Sequence, residues 1–364
     1  MNSQSTPLIE YLENLGYKVE TNNHDSIIKN YNNTVDAIRS LYEGVGLRNI
    51  SHSGIIELRG NDVLEFIHRV ATNDVKSLAK EEVVDTIFTT EKGRIIDRTT
   101  LLNFDSHQLL ICSAENKEKV ASWINKYVIT DDVKVTITEG KYNIFEILGP
   151  QADSFVTLIC GSVVNNIQPN SFKIVHTEGI LFFIVKIKDD NGNIKFWTIS
   201  DEENARRLTK YILENKGLFD FNFVGEDAYN SYRIEQGIPI APFEINDEIN
   251  PHEARLMHLV SSTKGCYIGQ EVIARLETYD KVQKLLVGIE FLESPLPESH
   301  YVLLDENNKE AGTITSYVNS LKLKKYIGLG YVRKNYLEDG TKLIAKDQFH
   351  RTVNVEIKSL PFKK

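Results

Sequence analysis

The sequence predicts an α+β protein built from three modules, and three observations carry that reading. Residues 54–137 alternate strand and helix signals in the order strand, helix, strands, helix, strand. Gly149-Pro150 then breaks the chain and opens a second α+β stretch, and beyond Lys284 the chain reads as short strands separated by polar turns. The first of these modules has the order of a ferredoxin-like sheet with both helices on one face. The last has the pattern of a small β-barrel.

Taken in order, the first fifty residues are polar and Asn-rich, with helical periodicity over 35–42 that stops at Gly44 and Gly46. Residues 1–45 read as a loose extension or, the preferred reading, as a helix packed on the first domain. Ile55, Ile56 and Leu58 mark a strand, and Val63, Phe66, Ile67 and Val70 recur at helical spacing behind Asn61 as N-cap and Asp62 in the first turn. Strand-like runs follow at 84–88, 99–104 and 108–113, then a helix with Val120, Trp123, Ile124 and Tyr127 on one face, then a strand at 133–137. The second stretch has strands at 172–176, 181–187 and 195–199 with a hairpin turn at Asn191-Gly192. Ser200 and Glu203 form a capping-box signature ahead of a further helix. Residues 236–263 are loop-rich, with Pro239, Pro242 and Pro251.

With 41% hydrophobic and 26% charged residues among 364, the chain has an ordinary globular balance and room for two or three cores. A net charge of −9 argues against a surface that holds nucleic acid through counterion release. Cys112, Cys160 and Cys266 are far apart, odd in number and without a C-x-x-C, so alone they build neither a disulfide framework nor a four-ligand zinc site. The expectation is a reducing, cytoplasmic setting. No apolar run reaches the roughly 18 residues of a membrane span, and the longest, Ile180-Leu181-Phe182-Phe183-Ile184-Val185, suits a buried strand.

The most chemically loaded stretch is Lys264-Gly265-Cys266-Tyr267-Ile268-Gly269-Gln270-Glu271, followed by Val272-Ile273-Ala274-Arg275. A neighbouring cation lowers a thiol's pKa, so Lys264 and Arg275 offer Cys266 an electropositive setting. The opposing reading is an inert, buried cysteine. Cys112 and Cys160 stand in apolar, strand-like runs and read as packing residues. His252 and His258 flank a helix-like run at a spacing that does not put both rings on one face, which argues against a shared metal. His52 follows Ser51 with no acid at a triad spacing, and Asn73 and Asp74 read as turn residues.

These pieces occur in a telling order. Gly46-Leu47-Arg48-Asn49-Ile50-Ser51-His52-Ser53-Gly54, Arg59-Gly60-Asn61-Asp62, Thr72-Asn73-Asp74-Val75, Lys92-Gly93-Arg94-Ile95-Ile96-Asp97, Leu148-Gly149-Pro150 and Arg233-Ile234-Glu235-Gln236-Gly237-Ile238-Pro239 lead to the motif at 264–275. With them the sequence resembles, nearly end to end, the folate-binding family that includes the glycine cleavage system T-protein and the YgfZ-type iron–sulfur maintenance proteins. K-G-C-Y-x-G-Q-E followed by an arginine is similar to the YgfZ branch. The resemblance implies a three-domain cloverleaf around a central opening. Its first α+β domain spans 1–50 plus 141–280, a ferredoxin-like domain at 51–140 is inserted into it, and a C-terminal β-barrel covers 281–364.

The same resemblance implies tetrahydrofolate, or a one-carbon derivative of it, in that opening, with Glu235 accepting hydrogen bonds from the pterin edge. In the T-protein an aspartate ending a G-x-[IL]-x-D-D segment assists one-carbon transfer. Here the segment reads Ile96-Asp97-Arg98, with one acid replaced by isoleucine and a cation after the other, so Asp97 either assists chemistry, orients folate or pairs with Arg98 or Arg94. Cys266 and Asp97 are the candidate catalytic residues. Lys264, Tyr267, Gln270 and Arg275 join Glu235 and Asp97 as candidate cofactor contacts, with Tyr279 a further ring to stack, and no metal ligand is expected. The implied function is folate binding in support of iron–sulfur cluster assembly or repair in client enzymes, including tRNA-modifying ones. Its partners are client or assembly proteins, with no direct nucleic acid and no membrane. The alternative is a folate-dependent aminomethyltransferase or related demethylase.

Overall fold

The structure, a computed structural model, describes residues 7–21, 27–278, 281–297 and 299–363. Helix α1 (Pro7–Asn14) buries Leu8, Ile9 and Leu12 in the same core as Phe155 and Phe221, so the described part of the polar N-terminal stretch is packed. A hairpin of β1 (Val19–Thr21) and β2 (Ile28–Tyr31) follows. Helix α2 (Thr34–Glu43) starts where the Asn33 side chain accepts from Val35 N–H, and it ends as expected at Gly44. A Cβ on Gly44 would sit 2.2 Å from the Asp220 carbonyl oxygen, so only glycine lets β3 (Val45–Asn49) begin there.

The ferredoxin-like order holds. Strand β4 (Gly54–Arg59), α3 (Val63–Val70), β5 (Val83–Thr89), β6 (Ile95–Asn103), β7 (Gln108–Cys112), α4 (Lys117–Tyr127) and β8 (Lys134–Ile137) form a five-stranded sheet in the order β5-β6-β7-β4-β8. The apolar face of α3 packs Val63, Phe66, Ile67 and Val70 with Val120 and Ile124 of α4 in one core. The expected N-cap at Asn61 is not made. Asp62 takes the cap position without a side-chain bond, because Asn61 N–H and Nδ2 donate to Asp132 while Asp62 accepts from Asp132 N–H. Both side chains are spent on the loop leading to β8.

Strand β3 runs beside β9 (Asn143–Leu148), so two neighbours in one sheet are separated in sequence by the whole ferredoxin-like unit. With α5 (Ala152–Cys160), β10 (Ser171–Thr177), β11 (Ile180–Lys188), β12 (Ile194–Ser200), α6 (Glu202–Asn215) and β13 (Phe221–Val224), the sheet has the order β10-β11-β12-β9-β3-β13. The Asn191-Gly192 turn joins β11 to β12 as predicted. Asp189 Oδ1 accepts from the amides of Asn191 and Asn193, and Gly192 has φ +85°. The capping box at Ser200 and Glu203 is replaced by Asp201, whose carboxylate accepts from Asn204 N–H at 2.8 Å. Helix α7 (Glu226–Gln236) closes this layer with Gly237 in the left-handed region.

Residues 251–255 form turns and Met257–Leu259 a short 3-10 segment, so the helix expected between His252 and His258 is absent. Helix α8 (Gln270–Thr278) then leads to the barrel. Strands β14 (Lys284–Phe291), β15 (Tyr301–Leu304), β16 (Glu310–Ser320), β17 (Lys325–Arg333), β18 (Lys342–Asp347) and β19 (Thr352–Lys358) close in the order β14-β17-β16-β15-β18-β19. Closure leaves no open sheet edge.

One buried ionic cluster joins these layers. Arg233 on α7 is 1% exposed and Glu244, in the loop after α7, is 0% exposed; they pair at 2.9 Å. Glu244 also accepts from Thr315 and Ser316 hydroxyls of β16 at 2.6 Å each and from Ile240 N–H at 3.2 Å, and Arg233 donates to Asn230 and Ser316. A pair this deep is tolerated only when its remaining donors and acceptors are satisfied. Glu244→Ala leaves the guanidinium buried without its counter-charge, with an expected loss of about 3–5 kcal/mol in urea unfolding. A loss below about 1 kcal/mol would show that the cluster carries little stability.

Candidate functional site

The β5–β6 hairpin and the β11–β12 turn meet at a cleft of about 180 Å³. Its rim is ionic. Arg98 of β6 donates to Asp190 at 2.5 and 2.8 Å and to Asp85 of β5 at 2.8 Å, and Thr100 donates to Asp85 at 2.6 Å. His258 Nε2 lies 2.8 Å from Asp190. Although burial opposes it, His258 and Arg98 hold the Asp190 carboxyl well below the usual carboxylate range.

The wall opposite is aromatic. Tyr229 and Tyr232, one turn apart on α7, line the cleft with Leu148, Lys195 and the Ile238–Ala241 segment. Arg48 stacks its guanidinium 3.6 Å from the Tyr229 ring centroid and is held by Glu226 at 2.7 Å and Glu146 at 3.2 Å. Glu146 is buried, yet Lys195 and Arg48 outweigh that burial and keep its carboxyl at about 2. Tyr229 and Lys195 are therefore fixed from behind by charges that are themselves paired. A second cavity of about 380 Å³ shares Leu148, Asp189, Lys195 and Tyr232 with the cleft and extends to Tyr42, Gly149, Pro150 and Gln236. A third, of about 570 Å³, shares Tyr229 and Ile240 and opens between α7 and the barrel. Together they surround α7 and reach the roughly 300–1,000 Å³ that small-molecule sites occupy.

Asp97 is adjacent to this cleft in sequence but turned away from it. It is fully buried, and Ser113 donates to it through both N–H and Oγ at 2.8 Å. Burial pushes its carboxyl up to about 6, against the pull of those bonds. Ser113, not Asp97, lines the cleft. The expected pairing of Asp97 with Arg98 or Arg94 is not made: Arg98 bonds Asp85 and Asp190, and Arg94 bonds Glu253 at 3.2 Å and the Glu248 carbonyl.

Glu235 is also enclosed. Its carboxylate accepts from the hydroxyls of Tyr42, Ser231 and Ser320, which places it between α2, α7 and β16, and it is 2% exposed. Burial, followed by the Glu235 charge, pushes the Tyr42 hydroxyl up out of the physiological range. Arg233, two residues before Glu235 on α7, pairs with Glu244.

The 264–275 motif docks on the ferredoxin-like unit. Lys264 Nζ donates to the carbonyls of His68, Ala71 and Asn73, capping the C-terminal end of α3. Burial pulls its ammonium down to about 8. Thr89 Oγ1 donates to the Ile268 carbonyl at 2.7 Å, and Gly269 (φ +85°) passes so close that a Cβ would lie 2.6 Å from the Thr90 carbonyl oxygen. Tyr267 is buried, and burial raises its hydroxyl to about 12. Cys266 is exposed, which removes the buried-cysteine reading, but the ammonium expected beside it is committed to α3. Arg275 is exposed and sits 3.7 Å from Glu271 on the outer face of α8, and Gln270 opens that helix half-buried. None of Lys264, Cys266, Tyr267, Gln270 or Arg275 lines the three cavities around α7. Tyr279 lies outside the described residues.

Cys112 and Cys160 are buried packing residues, as expected. Asn73 and Asp74 make turn bonds: Asn73 Oδ1 accepts from Asp74 N–H, and Asp74 Oδ1 from Lys76 N–H. The residues that sequence reasoning missed are Asp85, Arg98, Asp190, Tyr229 and Tyr232. Their available signals were the alternation of Arg98 and Thr100 on one strand face and the i, i+3 tyrosine pair.

Residues 10–264 match the family described as the GCVT N-terminal domain, and residues 284–364 match the glycine cleavage T-protein C-terminal barrel domain. An aminomethyltransferase of Desulfitobacterium hafniense is 27% identical over 339 residues, covering 93% of this chain and 92% of the relative. A putative chloroplastic transferase of Arabidopsis thaliana is 27% identical over 89% of this chain and 74% of its own length. The crystal structure of glycine cleavage system aminomethyltransferase T from Bartonella henselae shares the fold, with a TM-score of 0.84 at 21% identity over 99% of this chain and 98% of that one.

Two measurements test this geometry. Because Asp97 titrates near 6 in the folded chain and at an ordinary 3.8 when unfolded, the folded state holds the extra proton between those values. Stability therefore falls as pH rises from about 4 to 6, by about 3 kcal/mol. Asp97→Asn should flatten that part of the unfolding profile, and an unchanged slope would assign it to other groups. Gly269→Ala should cost at least about 2 kcal/mol through strain at positive φ and the contact with Thr90. Gly265→Ala, whose Cβ would meet nothing within 4 Å, should stay within about 0.5 kcal/mol. Equal effects of the two would refute the docking role of Gly269.

Proposed function

Because the chain belongs to the glycine cleavage T-protein family, we propose that it binds tetrahydrofolate or a one-carbon derivative in the cleft beside α7 and acts as a folate-dependent, aminomethyltransferase-like protein. The observation that carries this reading is the chemistry of the cleft: a fixed aromatic wall facing a rim with both acceptors and donors. A reduced pterin needs all three. Tyr229 and Tyr232 offer ring faces, Asp85 and Asp190 can accept from an amino group and ring N–H, and Arg98 can donate to a ring carbonyl. Each bond to a charged group is worth roughly 1.5–3 kcal/mol. Lys195 and the adjoining cavity suit an anionic glutamyl tail. That relatives matched over nine-tenths of the chain are named aminomethyltransferases supports the same assignment.

Bound tetrahydrofolate would supply the nitrogen that takes up the one-carbon unit. The chain's own residues bind it, orient it and exclude water. Asp97 acts as a positioning residue, holding Ser113 at the cleft. Glu235 does the same for Tyr42, which lines the adjoining cavity, and a direct contact of Glu235 with pterin would require the Tyr42 hydroxyl to leave it.

A second reading, maintenance of iron–sulfur enzymes, is favoured by one observation: Cys266 is exposed on a segment anchored at Lys264 and at Gly269. An iron–sulfur cluster usually takes four protein ligands, so in this reading the cluster is cargo shared with a partner. Lys264, Tyr267, Gln270 and Arg275 then serve to present the thiol.

Titration calorimetry with tetrahydrofolate should show binding that weakens roughly 10- to 100-fold in Arg98→Ala. An unchanged affinity would remove the cleft from the site. In the purified protein, methylenetetrahydrofolate formed from an aminomethyl donor, lost in Arg98→Ala and kept in Cys266→Ala, supports the transferase. No turnover, together with failure of Cys266→Ala to restore iron–sulfur enzyme activity in a deletion strain, supports the second reading instead.

A further inference from the structure

Two aliphatic hydroxyls line the cleft beside Arg98, and both are committed as donors to carboxylates. Thr100 Oγ1 donates to Asp85 Oδ1 at 2.6 Å, and Ser113 Oγ donates to Asp97 Oδ1 at 2.8 Å. A hydroxyl carries one proton and two lone pairs, so once its proton is engaged by a carboxylate it can only accept from whatever else it meets. Among the described residues no group donates back to either oxygen.

The two carboxylates differ in what they leave free. Asp85 lines the cleft itself and also accepts from Arg98, so a ligand can compete for it directly. Asp97 is fully buried and meets the cleft through Ser113, which it holds by the backbone N–H at 2.8 Å as well as by the hydroxyl. Burial pushes the Asp97 carboxyl up to about 6, which still leaves it ionised, and therefore an acceptor only, at pH 7.5. Turning the Ser113 hydroxyl round to face the cleft would strip a buried carboxylate of one of its donors, which is costly. Ser113 is thereby locked as an acceptor.

That polarity bears on which pterin the cleft takes, and to that extent it rests on the folate reading above. Tetrahydrofolate carries a proton on N5, where 7,8-dihydrofolate has an imine nitrogen with a lone pair and no proton. A locked acceptor gains a hydrogen bond from the first and sets lone pair against lone pair in the second. Sites built to bond one N–H discriminate against the analogue that lacks it, because their own polar group is left unpaired. We propose that Ser113 is a specificity-determining residue that reads the N5 proton of the reduced pterin, with Asp97 behind it as the positioning residue that fixes its polarity.

Two variants break this wiring differently. Ser113→Ala removes the oxygen, whereas Asp97→Asn keeps it and frees its proton: an amide that accepts the Ser113 N–H on its oxygen turns its NH2 toward Oγ, so the hydroxyl can donate into the cleft. The test titrates the full chain calorimetrically with tetrahydrofolate and with 7,8-dihydrofolate at pH 7.5, in the wild type and in both variants. The wild type should bind the tetrahydro form at least about tenfold tighter. That ratio should fall to about threefold or less in each variant, through weaker tetrahydrofolate binding in Ser113→Ala and through a gain for dihydrofolate in Asp97→Asn. Because the two affinities are compared within one protein, a sample that is only partly folded still reports the ratio. A ratio retained in either variant, or no preference in the wild type, overturns the proposal while the folate reading stands. Absence of binding of both ligands by the wild type removes the folate reading and the proposal with it.

Discussion

A guanidinium with no access to water must bring its counter-charge with it, and that requirement organises this molecule around Arg233. The pair with Glu244 is satisfied only if α7, the loop after it and strand β16 of the barrel arrive together. Helix, loop and barrel are thereby set in one register. Once α7 is fixed, its 3.6-residue period assigns the rest: Tyr229, Tyr232 and Gln236 fall toward the cavities, while Ser231 and Glu235 face Ser320 and Tyr42. The aromatic wall of the cleft is a consequence of where the buried charge had to go.

The ferredoxin-like unit is attached by different means. Its hairpin carries Gly93, and the motif that docks there carries Gly269; a Cβ on either would crowd the other segment, with Val272 at 3.3 Å in one case and Gly93 Cα at 3.1 Å in the other. Backbone approaches backbone at this seam, and Lys264 closes it by filling the C-terminal end of α3. Ile95 N–H, on the same hairpin, donates to the Ile249 carbonyl of the long loop. The hairpin that presents Arg98 and Asp85 is therefore held by the motif on one side and the loop on the other.

Much of this was legible from residues alone. Periodicity in the ferredoxin-like unit and alternation in the barrel gave the element order, because burial of one face is a local property of sequence. The N-caps at Asn61 and Ser200 were misplaced because caps depend on rival partners: Asp132, 71 residues from Asn61, outcompeted the helix amides. The stretch 236–263 was legible as loop-rich, and it holds turns of its own, but its placement also depends on bonds to Thr72, Ile95 and Leu286, which no local pattern encodes. Lys264 and Cys266 were singled out correctly as unusual, but adjacency in sequence suggested adjacency of charge and thiol. The lysine's long side chain instead reaches into α3. Glu235 was expected to offer its carboxylate to a pterin edge, whereas three hydroxyls brought from α2, α7 and β16 satisfy it inside the protein, contacts that no local pattern encodes.

The chemistry of the cleft turns on which face of β6 each residue occupies. Successive side chains on a strand point to opposite sides, so Asp97 and Arg98 cannot share an environment. The acid goes inward to Ser113, and the cation goes to the cleft, where it meets Asp85 and Asp190. A guanidinium stays protonated at any physiological pH and cannot relay a proton. In the cleft this guanidinium therefore contributes positioning and a fixed positive charge, while Asp97 holds the serine that lines it. The carboxyl is enclosed beside Ser113 and the thiol faces solvent, so Asp97 and Cys266 do not share one of the cavities around α7, and function has to be argued from the side chains of the cleft rather than from the fold.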